Sequence, residues 1–173
     1  MKEQKQTIAA LIILWFLGLS LTSLGTPLEK HLALLKGYEW QYDPNVYHSN
    51  TEEDAQVLMT IIDSAHLPPV KRLRAIMVLR AFPHPKVAQY LLEKLKISNN
   101  HVVNINILST LMASFTKNYS HRIVEVVNIK LYNGNITFIK EALISLNQIN
   151  TLEAQTIKAR FLEDNPQHAR LLK

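Results

Sequence analysis

The chain has 173 residues, of which 47% are apolar, so it can bury the core of one domain of ordinary size and is predicted to be globular. It has no cysteine, which excludes disulfides, thiol nucleophiles, cysteine-bound zinc and iron–sulfur clusters. Its net charge is +5, and its four glycines form no glycine-rich run, so phosphate-binding loops are absent and nucleotide-dependent enzymes are poor candidates.

Residues 1–25 have the three-part build of a secretory signal peptide. Lys2 and Lys5 precede an apolar stretch at 8–19, and a small, polar run ends at Gly25. The apolar stretch is shorter than the roughly 20 residues that span a bilayer, which favours cleavage after Gly25 over an uncleaved membrane anchor. A buried N-terminal helix of a cytosolic protein is the third alternative. The sequence therefore predicts an exported protein, either periplasmic or anchored to the inner membrane and facing the periplasm.

Residues 26–66 are predicted to form an atypical N-terminal cap. At residues 26–29 the motif TPLE combines a threonine N-cap, a proline at the first helical position and a glutamate three residues after the cap, which predicts a helix at 28–36 before Gly37. An irregular connection follows, and it carries four aromatic side chains: Tyr38, Trp40, Tyr42 and Tyr47. We expect these rings to pack over the first helices as a lid, while a partner-binding patch around Trp40 and Tyr42 is the alternative.

Helical periodicity continues from residue 51 to the C-terminus. Thr51 and Asp54 open a helix that ends before Pro68, and further helices are predicted at about 69–82, 85–96, 101–115, 119–132, 136–148 and 151–163. The predicted connections include Lys117-Asn118, and Asn150 is the predicted N-cap of the last long helix. No useful alternating run of the strand type occurs, so the sequence predicts an all-α protein.

The helices repeat in pairs. The first helices of three successive pairs can be aligned at three positions. The first position is polar or aliphatic (Arg72, Asn104, Ile139), the second is small or aliphatic (Ala75, Ile107, Ala142) and the third is leucine (Leu79, Leu111, Leu146). The leucines are 32 and then 35 residues apart. A period of 30 to 40 residues built from helix pairs predicts a short α-solenoid, in which each pair buries one face on the pair before it and one on the pair after it.

This pattern resembles the bacterial HEAT-type repeats of the armadillo-like superfamily. The resemblance rests on a proline-valine helix start, a basic and a small residue in the first helix, a mid-repeat proline and an LLxxL run: Pro69-Val70, Arg72, Ala75, Leu79, Pro85 and Leu91-Leu92-x-x-Leu95. It covers about residues 54–165, and most strongly 68–112. It implies HEAT-like repeats at 67–165 with a C-terminal cap at 166–173. The chain departs from the family because Asn104 and Ile139 replace the first-helix arginine, so a continuous arginine–aspartate ladder is absent.

Candidates for chemistry are few. His66, His84, His101 and His121 are 17 to 20 residues apart, which places each at a helix end in a helix-pair solenoid, and no HxxxH or HExxH pairs two imidazoles. We therefore expect capping and surface histidines, no metal site and no cofactor. No nucleophile motif or carboxylate pair suggests a catalytic residue, so a non-enzyme is predicted, with a lyase-like enzyme of the same superfamily as the alternative.

The basic second quarter of the chain is the best candidate for binding. Residues 67–96 carry seven basic side chains against Glu93, a charge of +6, whereas residues 26–66 carry two against seven acidic ones, a charge of −5. The candidate partner-binding residues are Lys71, Arg72, Arg74, Arg80 and Lys86, with Trp40 and Tyr42 as a second choice. The sequence thus predicts a non-catalytic interaction or scaffold module of the bacterial cell envelope, which binds an acidic envelope protein or an anionic membrane surface.

Two other interpretations of this basic run stay open. A nucleic-acid-binding solenoid would fit if the chain were not exported, because phosphate contacts need only clustered positive charge. A solvated face with no specific partner is the simplest alternative. No small-molecule substrate is indicated by any motif.

Overall fold

A computed structural model describes residues 26–47 and 51–172 of the chain. Over these residues the protein is all-helical and has no strand. The α-helices are α1 (Pro27–Leu34), α2 (Glu52–Asp63), α3 (Pro69–Val78), α4 (Pro85–Ile97), α5 (His101–Ser114), α6 (Thr116–Leu131), α7 (Ile136–Ile149) and α8 (Leu152–Asp164). Short 3-10 segments lie at Pro44–Tyr47, Leu79–Ala81 and Pro166–Leu172. The all-α prediction is confirmed.

Side-chain caps fix most helix starts. In the TPLE motif the Glu29 amide donates to Thr26 Oγ1 (3.3 Å), and the Thr26 amide donates to a Glu29 carboxylate oxygen (2.8 Å). Thr51 caps α2 in the same way, since its Oγ1 accepts from the Asp54 amide (3.1 Å). Both predicted caps are therefore confirmed, and each satisfies backbone donors that a helix start leaves unpaired.

The predicted N-cap at Asn150 is wrong by one residue. Asn150 ends α7 in the left-handed conformation (φ 50°), and the hydroxyl of Thr151 caps α8 by accepting from the Ala154 amide (3.2 Å). Asparagine tolerates the left-handed region better than most residues, so it suits a helix end. Asn150 therefore ends α7, and Thr151 caps the start of α8.

The predicted connection at Lys117-Asn118 is also wrong. Helix α6 already begins at Thr116, and only Phe115 separates it from α5. Phe115 is almost fully buried and its ring meets Tyr119 edge-on, with centroids 6.2 Å apart. Because this buried ring anchors the corner, the chain changes direction within one residue, without glycine or proline.

The helices pack in two rows. Helices α3, α5 and α7 contact one another in succession, and so do α4, α6 and α8, while helices adjacent in sequence also pack across the rows, as α5 does on α6 and α7 on α8. Polar contacts show that α2 and α4 run in the same direction: Glu52 pairs with Lys86 near the two helix starts, and Asp63 pairs with Lys94 near the two helix ends. Helix α2 thus extends the second row.

Contacts within each row recur at the period of the sequence. Along the second row, Lys130 donates to the Ser98 carbonyl (2.8 Å) and Tyr132 donates to an Asp164 carboxylate oxygen (3.0 Å), and the partners are 32 residues apart in both cases. Along the first row, Thr110 donates to the Ile76 carbonyl (3.1 Å) across 34 residues. These spacings agree with the sequence period.

The aligned positions of the sequence repeat form the core. Ala75, Ile107 and Ala142, and likewise Leu79, Leu111 and Leu146, are completely buried. A leucine side chain taken out of water contributes roughly 1.5–3 kcal/mol, so these positions hold successive helix pairs together. The positions aligned from the sequence alone therefore belong to the buried core.

The predicted signal peptide or anchor at 1–25 lies outside the described residues. Within 26–47 and 51–172, no helix has both the length and the apolar character needed to cross a membrane.

Candidate functional site

A cleft of about 550 Å³ opens where the α2–α3 turn lies beside the α4–α5 turn. Its walls are mostly aliphatic and come from the ends of α2 and α4, from α3 and from the first turn of α5: Ile62, Leu73, Ile76, Ile97, Val102 and Val103. Ile97 is 68% exposed and Val102 is 54% exposed. The cleft thus presents accessible apolar surface at one edge of the helix stack.

Local sequence explains why these apolar side chains face water. The side chain of Asn100 caps α5 by accepting from the amides of Val102 (3.0 Å) and Val103 (3.2 Å). The cap fixes the first turn of α5 directly after the end of α4, which leaves Ile97 and Val102 on either side of a three-residue turn. Pro69 starts α3 at the facing turn. A side-chain cap thus holds one of the two turns beside the cleft, and a proline begins the helix after the other.

Two cations line the cleft, and they differ in their partners. Lys94 is paired with Asp63 and stands 5.9 Å from the centre of the Tyr90 ring. The side chain of Arg72 has no hydrogen-bond or ion-pair partner among the described residues, and its Nε atom is buried. Arg72 is therefore a cation with an unsatisfied donor in a largely apolar wall, a costly arrangement unless an anion meets it.

Tyr90 secures Asp63 beside Lys94. Its hydroxyl lies 2.9 Å from Asp63 Oδ1, as a donor to the carboxylate. Burial, the largest influence, raises the pKa of Tyr90, and the bond to Asp63 raises it further, so the phenol stays neutral and keeps donating. Lys94 is thus already neutralised within the protein, and Arg72 is the cation that remains for a partner.

The structure disperses the other predicted basic site residues. Arg74 turns away from the cleft and donates to the Leu35 carbonyl (2.8 Å) and the Gly37 carbonyl (2.7 Å), and its guanidinium lies 5.3 Å from the centre of the Trp40 ring. Gly37 has φ 101°, a left-handed conformation that favours glycine and exposes this carbonyl to Arg74. Arg74 therefore holds the end of α1 in place.

Arg80 and Lys86 are also engaged inside the protein. Arg80 donates to Ser109 Oγ (2.7 Å), which links α5 to the 3-10 turn after α3. Lys86 pairs with Glu52, and this hydrogen bond and charge hold the pKa of Glu52 below its usual range. Lys71 has no side-chain partner among the described residues. The predicted basic run is thus divided between internal contacts and the cleft.

Trp40 and Tyr42 pack as the lid that the sequence predicts. Trp40 donates its indole N–H to the Leu34 carbonyl (2.9 Å), and Tyr42 stacks on Tyr47 with ring centres 6.5 Å apart. Tyr47 in turn meets Phe82 edge-on at 6.3 Å. Tyr38 is the exception, because its ring is fully exposed. The aromatic connection therefore covers the first helices, and three of its four rings are held there.

The sequence interpretation missed a buried pair that joins this cap to α2. His31 is only 2% exposed, and its Nε2 lies 2.8 Å from Asp54 Oδ1. Burial is the largest influence on Asp54 and raises its pKa, but hydrogen bonds from His31 and Thr51 outweigh it and leave the pKa lowered. The available signal was the position of His31 on the same helical stripe as Leu35.

Two of the histidines singled out from the sequence, His84 and His121, take capping and surface positions. His84 precedes α4, and its Nδ1 accepts from the Lys86 amide (3.4 Å). His121 is exposed, and its hydrogen bond to Glu153 (2.6 Å) raises its pKa. No group of three or more side chains within the described ranges could hold a metal ion.

Comparisons with known proteins supply no relative. Protein-family models, curated proteins and solved structures were all compared with the chain, and none matches. The functional inference therefore rests on the geometry of the cleft.

Proposed function

We propose that this protein is a short α-solenoid of HEAT-type helix pairs and that it acts as a non-catalytic binding module. The two rows of helices and the polar contacts repeated every 32 to 34 residues support the solenoid architecture. Successive first helices share a buried leucine and a buried small or aliphatic residue, and this supports the resemblance to HEAT-type repeats.

The unpartnered Arg72 in the apolar cleft is the observation that carries the proposed binding function. A protein segment with two or more aliphatic side chains and a neighbouring carboxylate would bury Ile97 and Val102 and give Arg72 a charged acceptor. Charge-assisted hydrogen bonds are roughly twice as strong as neutral ones, and arginine can bind a carboxylate through two donors. The partner we propose is therefore a protein segment with acidic and aliphatic side chains. It would bind in the cleft around Arg72 and not across the whole basic face predicted from the sequence.

We further propose that the partner belongs to the cell envelope. The support is the charge and apolar pattern of residues 1–25, which has the build of an export signal. Fusion of residues 1–30 to a reporter enzyme that is active only outside the cytoplasm tests this part separately. Reporter activity is the expected result, and an inactive but intact fusion would place the protein and its partner inside the cell.

Site-specific photocrosslinking in intact cells tests the cleft. A photoreactive amino acid replaces Ile97 in the cleft and, as a matched control, Leu152, which is 85% exposed at the start of α8. We expect Ile97 to crosslink to a partner segment in which mass spectrometry finds aliphatic and acidic side chains, and Leu152 not to do so.

Charge variants then connect this crosslink to Arg72. Arg72→Glu should abolish the crosslink from position 97, while Lys96→Glu makes the same charge change on an exposed side chain outside the cleft lining and should leave it intact. Persistence of the crosslink in Arg72→Glu, or a captured segment without acidic residues, would refute the proposal.

A further inference from the structure

A second cavity lies one helix pair further along the stack. It has a volume of about 290 Å³ and lies where the α4–α5 turn meets the α6–α7 turn. Its lining is mainly polar and includes Ser98, His101, Asn104, Lys130, Gly134 and Phe138. The cavity borders the apolar cleft at Ser98. It is small enough to enclose a metabolite of a few heavy atoms but not a peptide segment.

Asn104 is the most unusual member of this pocket. It is only 4% exposed, and its Nδ2 donates to the Ser98 carbonyl (3.2 Å). This bond fixes the orientation of the amide, and the Oδ1 atom is then buried without any hydrogen-bond partner among the described residues. Buried acceptors without partners are rare in native proteins and call for an explanation. A ligand that brings an N–H or O–H donor would supply the missing bond after a small shift of the pocket wall, because Oδ1 itself has almost no accessible surface.

Lys130 brings positive charge to the same point. Its Nζ also donates to the Ser98 carbonyl (2.8 Å), so the ammonium and the Asn104 amide are bonded to one oxygen and lie within reach of one small molecule. An ammonium has three donors, and two remain after this bond. The imidazole of His101 lines the pocket and has no side-chain partner in the described parts of the chain. An anionic group is therefore favoured beside Lys130.

Gly134 lines the same pocket and packs closely against Phe138. A Cβ atom at Gly134 would stand 2.7 Å from Cδ1 of Phe138, closer than packed atoms approach. The Phe138 side chain is almost completely buried and has no room to move away. Glycine at 134 is therefore required for the close packing of this part of the pocket lining on Phe138.

We infer that this pocket binds a small carboxylic acid that carries a hydroxyl or amino group next to the carboxylate. The carboxylate accepts hydrogen bonds from Lys130 and His101, and the neighbouring O–H or N–H donates to Asn104 Oδ1. The site is independent of the proposed partner cleft, because its polar groups lie on the other side of the Ser98 turn.

Titration calorimetry on the full chain tests the inference with four probes. Lactate and serine carry the required donor as a hydroxyl or an amine, while acetate and propionate carry the carboxylate alone. We expect lactate or serine to bind at least about tenfold more tightly than propionate, since the lost bond to a buried acceptor is worth that factor or more.

Two lysine variants link the binding to the pocket. Lys130→Gln removes the charge but keeps a polar N–H group on a side chain one bond shorter, and we expect affinity to fall about tenfold or more. Lys140→Gln removes the same charge from an exposed position of α7 outside the pocket and should bind as the unmodified chain does. Folding of both variants is checked by circular dichroism.

The inference is overturned if none of the four probes binds, if propionate binds as tightly as lactate and serine, or if Lys130→Gln leaves affinity unchanged. A crystal structure grown with lactate and serine that shows only an ordered water on Asn104 Oδ1 would have the same meaning. The photocrosslink from Ile97 does not depend on any of these outcomes.

Discussion

Two cavities lie at successive junctions between helix pairs, and their linings differ in polarity. The first is the cleft where the α2–α3 turn meets the α4–α5 turn, and the second is the pocket where the α4–α5 turn meets the α6–α7 turn. Arg72 and Asn104 hold equivalent positions in their first helices, three residues before the completely buried Ala75 and Ile107. Each has one buried polar atom without a partner, but Arg72 stands in an apolar cleft and Asn104 in a polar pocket. The comparison indicates that the buried aligned positions serve packing, while the residue three positions before them differs together with the polarity of the neighbouring cavity.

The third equivalent position supports this interpretation. Ile139 is buried in the core and has no polar group to satisfy. Along the chain the position thus changes from a cation to an amide to an aliphatic side chain, and the first two coincide with cavities. A position that served packing alone would be expected to be aliphatic in all three helices.

Loss of core packing in α5, the helix that contributes to both junctions, should have the largest effect on the free energy of unfolding. Leu111 lies on α5, which contributes to both junctions, and it is completely buried. Leu111→Ala should destabilise the protein by roughly 2–5 kcal/mol, because it loses buried area and leaves a cavity. Urea denaturation measures the change, and Val102→Ala, at a half-exposed position, serves as the control with a much smaller loss. Equal losses in the two variants would contradict the assigned core.

Loss of the Arg74 contacts should loosen the N-terminal cap at residues 26–47. It should leave the junction at the α4–α5 and α6–α7 turns unaffected. Arg74→Met keeps the length of the side chain but removes the hydrogen bonds to the carbonyls of Leu35 and Gly37. We expect a loss of about 1.5–3 kcal/mol, the usual contribution of hydrogen bonds to a charged group. Hydrogen exchange should then accelerate over residues 26–47, with no change at α6 and α7. Uniform acceleration over both regions would show that the cap is not a local contact.

Removal of the Arg72 charge should leave the free protein as stable as before or more stable. Arg72→Met eliminates a buried donor without a partner, so we expect a gain of up to about 1 kcal/mol in the free energy of unfolding. The same variant should lose the crosslink from position 97. Together these results would show that Arg72 lowers the stability of the free protein but is needed to bind the partner. A clear destabilisation would mean that Arg72 serves the fold rather than a partner.

The smallest effect concerns the pH dependence of the cap. The pKa of Asp54 is lowered in the folded state, so its carboxylate contributes stability above the unfolded value of about 3.9, and this contribution is lost as pH falls through the lowered folded pKa. Asp54→Asn should therefore differ most from the unmodified chain above pH 4, and the two denaturation midpoints should converge on acidification. A difference that stays constant down to low pH would contradict the lowered pKa.

Local signals made the helices predictable from the sequence. Thr26 and Thr51 cap helix starts through hydrogen bonds to residues only three positions away, and leucines at a regular period mark the buried core. The corner at Phe115 could not be predicted in this way, because its sharpness depends on burial of the ring in the assembled core. Local chemistry thus predicted most helix bounds, whereas tertiary burial produced the error at this corner.

The candidate site was predictable only in part, since partners distant in sequence decide which charges are free. Arg72 and Arg74 look alike in the sequence, but Arg74 reaches a carbonyl 39 residues away and Arg72 reaches nothing within the described residues. The pair of His31 and Asp54 spans 23 residues and went unpredicted for the same reason. Periodicity can place such residues on a face, but it cannot identify the contact that satisfies them.

The most direct test of the role of Arg72 is a selection of random displayed peptides on the purified protein, repeated on Arg72→Glu and on Lys96→Glu. We expect aliphatic peptides with aspartate or glutamate to be enriched on the unmodified protein and on Lys96→Glu, and a switch to peptides with lysine or arginine on Arg72→Glu. Enrichment of the same peptides on all three proteins, or of none on the unmodified one, would contradict the assignment of the cleft as an acidic-segment binding site.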